Sequence, residues 1–504
     1  MLTYELERRG DMSRYEYLYR CIRSDIEQGA IGAGEKLPSK RALARHLGVS
    51  LSTVEGAYAQ LAAEGYVQAA ERRGYFACDL GMPLAARPPV ASAGAFGPAG
   101  RGGAGRPDAD PSAAAPAGPP IVADFTGGAG PAGAFPYRMW ARTVRAVLAE
   151  ESERSLAAAA SDAAGSRRLR EAIASYLLGF RGMRVDPDRI VIGAGAQTLY
   201  HTIVQLVGRT SRLAVEDPGY PRLASIYRAN DVDVVPVPLD GRGVCMRALR
   251  ESGADVLHCM PSHQFPTGIA VPVSRRYELL GWAAEAPGRY LVEDDYDCEF
   301  RLAGRPLPAL QGIDASERVL YVNTFTKSLG SAFRIGYLVL PPHLAEAFRE
   351  RLGFYASTVG AIDQLALARF IERGDYERHV NRSRNRCRTV RAALVGALKA
   401  GPLADRLEAE EADAGLHFVL GIATGARDED VVAAARAEGV AMVPLAAYCA
   451  TERARASSRH RFVVNDAALD PARAEQAADA LARAVEAAER LSSQRRDPAA
   501  APLC

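Results

Sequence analysis

Between Leu80 and Ile121 the sequence turns to alanine, glycine and proline, with runs such as Gly102-Gly103-Ala104-Gly105 and Pro116-Ala117-Gly118-Pro119-Pro120. Such a stretch has almost nothing to bury, so residues 80–121 predict a linker, part flexible and part extended. The linker splits the chain into a head at 12–79 and a body at 122–492, and residues 493–504 are expected to form a disordered tail. The split agrees with length, because 504 residues exceed one ordinary core. Hydrophobic content of 48% against 24% charged residues describes a soluble globular protein. No run approaches the ~20 apolar residues of a membrane span, and Glu5, Glu7 and Asp11 interrupt any signal-peptide core. A cytoplasmic protein without membrane contact is expected. The eight cysteines stand singly, without metal-ligand or disulfide spacing, so thiols and no metal are expected. A net charge of +2 makes any basic surface local.

In the head, Leu18, Ile22 and Ile26 recur at helical spacing between Glu16 and Ile31. Ser39 can cap a short second helix that Gly48 ends. Ser50 or Ser52 can cap a third, with Val54, Ala57, Tyr58 and Leu61 on its apolar face. Two helices joined by a turn of about four residues make the helix-turn-helix plan. Val67 to Cys78 alternates and turns at Arg72-Arg73-Gly74, as a β-wing does. Residues 1–78 carry 11 Lys or Arg against 10 Asp or Glu, yet Lys36 to Arg45 holds four cations with only Glu35 beside them. A phosphate-facing surface is expected there and at the wing.

Leu37-Pro38-Ser39, Arg41, Leu43-Ala44, Leu47-Gly48-Val49-Ser50, Thr53-Val54, Ala57-Tyr58, Leu61 and Glu64-Gly65 resemble the winged helix-turn-helix of GntR-type bacterial regulators. The resemblance implies double-stranded operator DNA as partner. It puts Ser39, Lys40, Arg41, Ser50, Ser52 and Thr53, with Arg73 and Gly74 of the wing, against phosphates or base edges. Two positions depart from the pattern: Leu51 stands where arginine is common, and the wing reads Arg73-Gly74-Tyr75-Phe76 instead of Gly-Thr-Phe.

In the body, Ile190 to Thr198 reads as a strand feeding a glycine-rich turn and a helix, and strand-like runs follow at 213–221, 233–237 and 255–261, each separated from the next by a helix-length segment, which predicts a mainly parallel sheet flanked by helices, followed by a smaller α/β part. The large part is expected over 165–355 and the small part over 356–492. Tyr290-Leu291-Val292-Glu293-Asp294-Asp295-Tyr296 and Val319 to Leu329 each read as a short buried strand whose carboxyl end delivers polar side chains, acids from the first and one lysine from the second, to a common rim, where open α/β sheets place their ligands. Lys327 has hydroxyl, small and apolar neighbours. A desolvated lysine can form a Schiff base with an aldehyde, although a surface lysine after a strand fits the local pattern too. An acid on the same rim favours pyridoxal phosphate, which needs a lysine for its aldehyde and an acid for its ring nitrogen.

Gly195-Ala196-Gln197, Glu216-Asp217-Pro218-Gly219-Tyr220, Pro261 to Gly268, Glu293 to Asp297 and Thr324-Phe325-Thr326-Lys327 resemble the domain of fold-type I aminotransferases. With the GntR-like head, the whole resembles the MocR/GabR transcriptional regulators. The resemblance implies pyridoxal 5'-phosphate held as an aldimine on Lys327, with Asp294 at the pyridine nitrogen, Tyr296 at the ring hydroxyl, Tyr220 stacked on the ring and Gln264 on the ring's oxygen side. Gly195, Ala196, Gln197, Thr324, Thr326 and Arg334 would hold the phosphate. Arg461 and Arg222 would take a ligand carboxylate, with Arg459 a rival for the first role. The family's tyrosine near Ala160, which crosses to the partner's cofactor, is absent. The implied function is that of a homodimeric DNA-binding regulator sensing pyridoxal phosphate, an amine or an amino acid. The alternative is an active aminotransferase with an appended DNA-binding head.

Overall fold

A computed structural model describes residue 4 and residues 13–27, 30–32, 34–63, 66–70, 74–78, 120–127, 135–302, 307–410 and 415–496. Arg73, linker residues 80–119 and residues 497–504 lie outside the described residues.

The head comprises α1 (Arg14–Glu27), α2 (Lys40–Leu47), α3 (Leu51–Ala63) and an antiparallel wing of β1 (Val67–Ala70) and β2 (Gly74–Ala77). Ser39 caps α2 by accepting from the Ala42 amide at 3.2 Å, and Gly48 ends it in the left-handed region at φ 64°. Ser50 caps the next helix, its hydroxyl accepting from the Thr53 amide at 3.2 Å. Leu18, Ile22, Leu43, Val54, Ala57, Tyr58 and Leu61 form one buried core, which is the apolar face the spacing predicts. The Tyr58 hydroxyl donates to the Pro38 carbonyl at 2.9 Å and so ties α3 to the entry of α2.

Past the linker, β3 (Ala123–Asp124) pairs in parallel with Val440–Ala441. The chain therefore enters the body through its small part, where Ala123 and Phe125 share a core with Phe418, Phe462 and Leu481. The large part follows as β4 (Ile190–Gly193), β5 (Leu213–Asp217), β6 (Val234–Asp240), β7 (Gly243–Val244), β8 (Val256–Cys259), β9 (Tyr290–Asp294), β10 (Val319–Thr324) and β11 (Gly336–Val339). Their order across one sheet is β4-β11-β10-β9-β8-β5-β6-β7. The run from β10 to β6 is parallel, while β11 is antiparallel to both β10 and β4. Of the parallel strands, β5, β8, β9 and β10 are buried on both faces, which is why they read as largely apolar runs instead of alternating ones. Helices Ala196–Val207 and Pro342–Leu352 cover one face, and Val273–Ala284, carrying the fully buried Trp282, covers the other.

The small part holds β12 (Leu407–Glu410), β13 (His417–Ile422), β14 (Val440–Ala441), β15 (Val443–Pro444) and β16 (Arg461–Asn465). All but β14 join in one sheet ordered β12-β13-β16-β15. The last helix runs from Ala474 to Arg496, four residues into the stretch expected as tail, and Arg495 pairs there with Asp430 at 3.1 Å.

Candidate functional site

The C-terminal ends of β4, β5, β8, β9 and β10 share one edge of the large sheet, because β10, β9, β8 and β5 run parallel and β4 is antiparallel to the reversed β11. Strand alternation sorts the acids at the end of β9. Glu293 accepts from the Leu310 and Gln311 amides at 2.8 and 2.9 Å beside Arg276. Asp295 pairs with Arg181 at 2.8 Å and accepts from Tyr321 at 2.8 Å. Asp294 points the other way. It is 3% exposed, and its Oδ2 accepts a short hydrogen bond from the Tyr200 hydroxyl. His258 Nε2 lies 3.4 Å from the same oxygen, and Tyr227 Oη is 2.8 Å from His258 Nδ1. If Tyr227 donates to Nδ1, the ring proton sits on Nε2 and faces the carboxylate, the arrangement that avoids opposing a lone pair to an anion.

Lys327 follows β10 by three residues, in the short helix Thr326–Leu329, and Val322 of β10 is the register partner of Asp294. The lysine is exposed, contrary to the desolvated side chain its neighbours suggest. The short helix turns Phe325, Ser328 and Leu329 inward and leaves position 327 outside.

Beside this edge, Gly193-Ala194-Gly195 turns into the helix Ala196–Val207. Gly195 has φ 83°, and an added Cβ would stand 2.7 Å from the Arg334 guanidinium, so the arginine lies directly on the turn. Thr358 accepts from the Ala194 amide at 3.1 Å. Thr324 ends β10, and Thr326 Oγ1 donates to the Phe333 carbonyl at 3.3 Å. Gln197 is exposed in the first helical turn. Amides at a helix start, hydroxyls and a fixed guanidinium suit a phosphate, and lysine and aspartate beyond them suit an aldehyde and a protonated ring nitrogen. The residues present therefore fit pyridoxal phosphate.

Tyr220 is 36% exposed and meets Phe265 edge-on, with ring centroids 6.0 Å apart. Tyr296 Oη lies 3.2 Å from His263 Nδ1. The Gln264 amide is engaged already: Nε2 donates toward Glu216, the Pro218 carbonyl and the Phe265 carbonyl, while Oε1 accepts from Thr267. Arg461 meets Glu410 with both prongs of its guanidinium, Nε at 3.0 Å from Oε1 and the second nitrogen on Oε2. Arg222 and Arg459 are exposed.

Three side chains to which the motifs give no role line the seam between the two parts of the body. His263 Nδ1 is 2.8 Å from Asp297 Oδ2, and the His263 and His417 rings stand 4.4 Å apart. These three could be taken for metal ligands. Asp297 Oδ2 already serves His263 and the Leu416 amide, however, and burial with His263, Arg391 and Lys327 holds the His417 pKa well below its ordinary value. With that oxygen engaged from two sides, the cluster reads as a hydrogen-bonded seam. Glu216 is buried beside it, and burial pushes its pKa up to about 8 against hydrogen bonds from Gln264 and the Met260 amide. Tyr200, Tyr227 and His258 lie on apolar faces; His258 inside Val256-Leu257-His258-Cys259 was the one visible signal.

In the head, Ser50 Oγ lies 2.9 Å from Ser52 Oγ and 2.7 Å from Thr53 Oγ1, a cluster of hydroxyls at the start of α3. Leu51 is 39% exposed among them. Ser39 and Arg41 are exposed at the start of α2. Lys40 lies over the Tyr75 ring at 5.5 Å and 3.5 Å from Glu55, and Lys36 lies over Phe76 at 5.9 Å. Gly74, at φ 110°, is exposed at the start of β2, and an added Cβ would press on Lys36 at 3.2 Å.

Residues 14–76 match the bacterial regulatory proteins of the gntR family, and residues 132–481 match aminotransferase class I and II. The HTH-type transcriptional regulator YdeL of Bacillus subtilis is 34% identical over 453 residues, 88% of this chain and 91% of its own. The probable rhizopine catabolism regulatory protein MocR of Rhizobium meliloti is 33% identical over 442 residues, 87% and 88% of the two chains. The pyridoxine biosynthesis regulator PdxR of Corynebacterium glutamicum is 31% identical over 399 residues, 79% and 81%. The fold of the body is that of LysN, the α-aminoadipate aminotransferase of Thermus thermophilus, solved with N-(5'-phosphopyridoxyl)-L-leucine. Its TM-score is 0.62 at 23% identity, covering 74% of this chain and 93% of that one. A gntR-type head in front of an aminotransferase-like body, matched along most of their length by regulators of the same build, places the chain in the MocR/GabR family of HTH-type transcriptional regulators.

Proposed function

We propose that this protein is a cytoplasmic, homodimeric DNA-binding regulator whose body holds pyridoxal 5'-phosphate and reports its occupancy, or that of an amine or amino acid reacting with it, to the head. The observation that carries this reading is the braced Asp294 at the end of β9, on the strand next to the one that delivers Lys327. When bound, pyridoxal phosphate supplies an aldehyde for amines and a ring that withdraws electrons while its nitrogen is protonated. Lys327 Nζ would hold the aldehyde carbon and Asp294 would face the ring nitrogen. Arg334, Thr324, Thr326 and the turn at Gly195, Ala196 and Gln197 would hold the phosphate. Tyr220 would lie on the ring and Tyr296 at its hydroxyl. Gln264 would reach the ring only by giving up one of its present bonds. Arg222 and Arg461 would receive a ligand carboxylate, the latter after release from Glu410. Ser39, Lys40, Arg41, Ser50, Ser52, Thr53, Arg73 and Gly74 would face DNA.

The names of two relatives support both kinds of effector, one regulating pyridoxine biosynthesis and the other rhizopine catabolism. A ligand acts as effector only if it prefers one of two arrangements of the protein. The test is a DNA-binding assay on the region upstream of the protein's own gene at low salt, with and without pyridoxal phosphate and candidate amines. Binding that changes with ligand is expected, and no binding under any condition contradicts the reading. The completeness of the donor set favours one other reading, a working aminotransferase. Keto-acid production from a panel of amino donors near ~10 per second would establish it and remove the regulator-only account.

A further inference from the structure

We infer that Tyr200 is a positioning residue for the ring-nitrogen end of the cofactor site: with His258 it loads Asp294 with hydrogen bonds, so that the proton shared with the ring nitrogen stays on the nitrogen. The inference rests on the function proposed above. The two known partners of Asp294 both use Oδ2. Tyr200 lies one turn into the helix whose start forms the phosphate-type turn, so a single helix serves both ends of the site. Its ring is fixed against His258, with centroids 5.1 Å apart at 82°, and against Tyr227 at 5.9 Å.

A carboxylate facing a pyridinium in a dry pocket has a competing state, in which the proton crosses to the carboxylate and both charges vanish. A low dielectric favours that neutral pair, because each separated charge costs desolvation. Donors on the carboxylate oppose it by stabilising the anion and lowering its affinity for a proton. Tyr200 suits the task because its phenol stays protonated: burial and Asp294 raise its pKa well above the ordinary value, so it donates at any physiological pH. Tyr227 acts one step behind, through the tautomer of His258.

The test uses the full-length protein loaded with pyridoxal phosphate carrying a nitrogen-15 label in the ring, read by NMR. Wild type should show a pyridinium signal. Tyr200→Phe, which removes one oxygen and keeps the ring packing, should move the signal toward that of neutral pyridine and raise the Kd for pyridoxal phosphate by about tenfold, the weight of one charge-assisted hydrogen bond. Tyr227→Phe should move it in the same direction by less. A loaded Tyr200→Phe with the wild-type signal overturns the inference, whether or not its affinity falls, because lost packing alone would weaken binding without moving the proton. If Tyr200→Phe does not fold, Tyr227→Phe decides: a displaced signal supports the inference and an unchanged one overturns it. Wild type that takes up no pyridoxal phosphate removes the proposed function and this inference together, an outcome distinct from an unchanged variant.

Discussion

The two ends of the cleft differ in how their key charges are held. At the proposed ring-nitrogen end, Asp294 is buried and receives Tyr200 from one element and His258 from another, with Tyr227 behind. At the proposed carboxylate end, Arg461 is partly exposed and already occupied by Glu410, and Arg222 is exposed. The first end is preorganised for a permanent guest, whereas at the second a visiting carboxylate must compete with one of the protein's own. That asymmetry suits a protein that keeps its cofactor and samples its effector. It also sets the sizes of the effects expected from mutation.

The largest effect should come from the braced end. Asp294→Ala removes the acceptor of two buried donors and the proposed partner of the ring nitrogen, so pyridoxal phosphate affinity should fall by about 100-fold, as for breaking a buried charged pair. Equilibrium binding measured by cofactor absorbance checks this. A fall of threefold or less would mean that Asp294 does not face the ring.

Next in size is a pH effect in the same region. Burial pushes the Glu216 carboxyl from its ordinary 4.5 up to about 8. Between those values the folded chain keeps a proton that the unfolded chain releases, so the group costs stability progressively as pH rises from 4.5 to 8. Glu216→Gln keeps the acceptor for Gln264 and Met260 but carries no charge. It should stabilise the protein by ~2 kcal/mol at pH near 8 and have no effect near pH 4. Denaturant unfolding at the two pH values reads the difference. Equal effects at both would show that Glu216 ionises freely.

Gly195→Ala is expected to weaken pyridoxal phosphate about tenfold, since a side chain at φ 83° is strained and its Cβ would push Arg334 from the turn. Free inorganic phosphate should compete less well against the same variant. The smallest effect belongs to the open end. Glu410→Ala should change stability by less than ~1 kcal/mol, as for a partly exposed ion pair, yet bind a carboxylate-bearing amine a few-fold more tightly. Unchanged ligand binding would mean that Arg461 takes no part.

Much of this was legible in the sequence because strand ends advertise themselves. Asp294 and Lys327 follow apolar runs that had to be buried strands, and Ser39, Gly48 and Ser50 mark helix ends by cap chemistry acting within a few residues. Long-range partners were not legible. Tyr200 and His258 sit 94 and 36 residues from Asp294 on faces whose periodicity says only that they are buried. Glu410 meets Arg461 across 51 residues, through a sheet register that no local pattern sets. Gly336–Val339 lies between β10 and β4, antiparallel to both, and brings the Gly195 turn to the lysine's side of the sheet, a pairing that no local pattern sets. Lys327 misled in the other direction, since its apolar neighbours turn inward and leave it exposed.

The central claim joins that lysine to DNA. Its most direct test is the affinity of the wild-type protein and of Lys327→Ala for their own upstream DNA, each titrated with pyridoxal phosphate at fixed salt. The account predicts that cofactor shifts the wild-type affinity severalfold or more and leaves the variant unmoved. A wild type indifferent to pyridoxal phosphate and amines alike, or a variant that responds as wild type does, would contradict it.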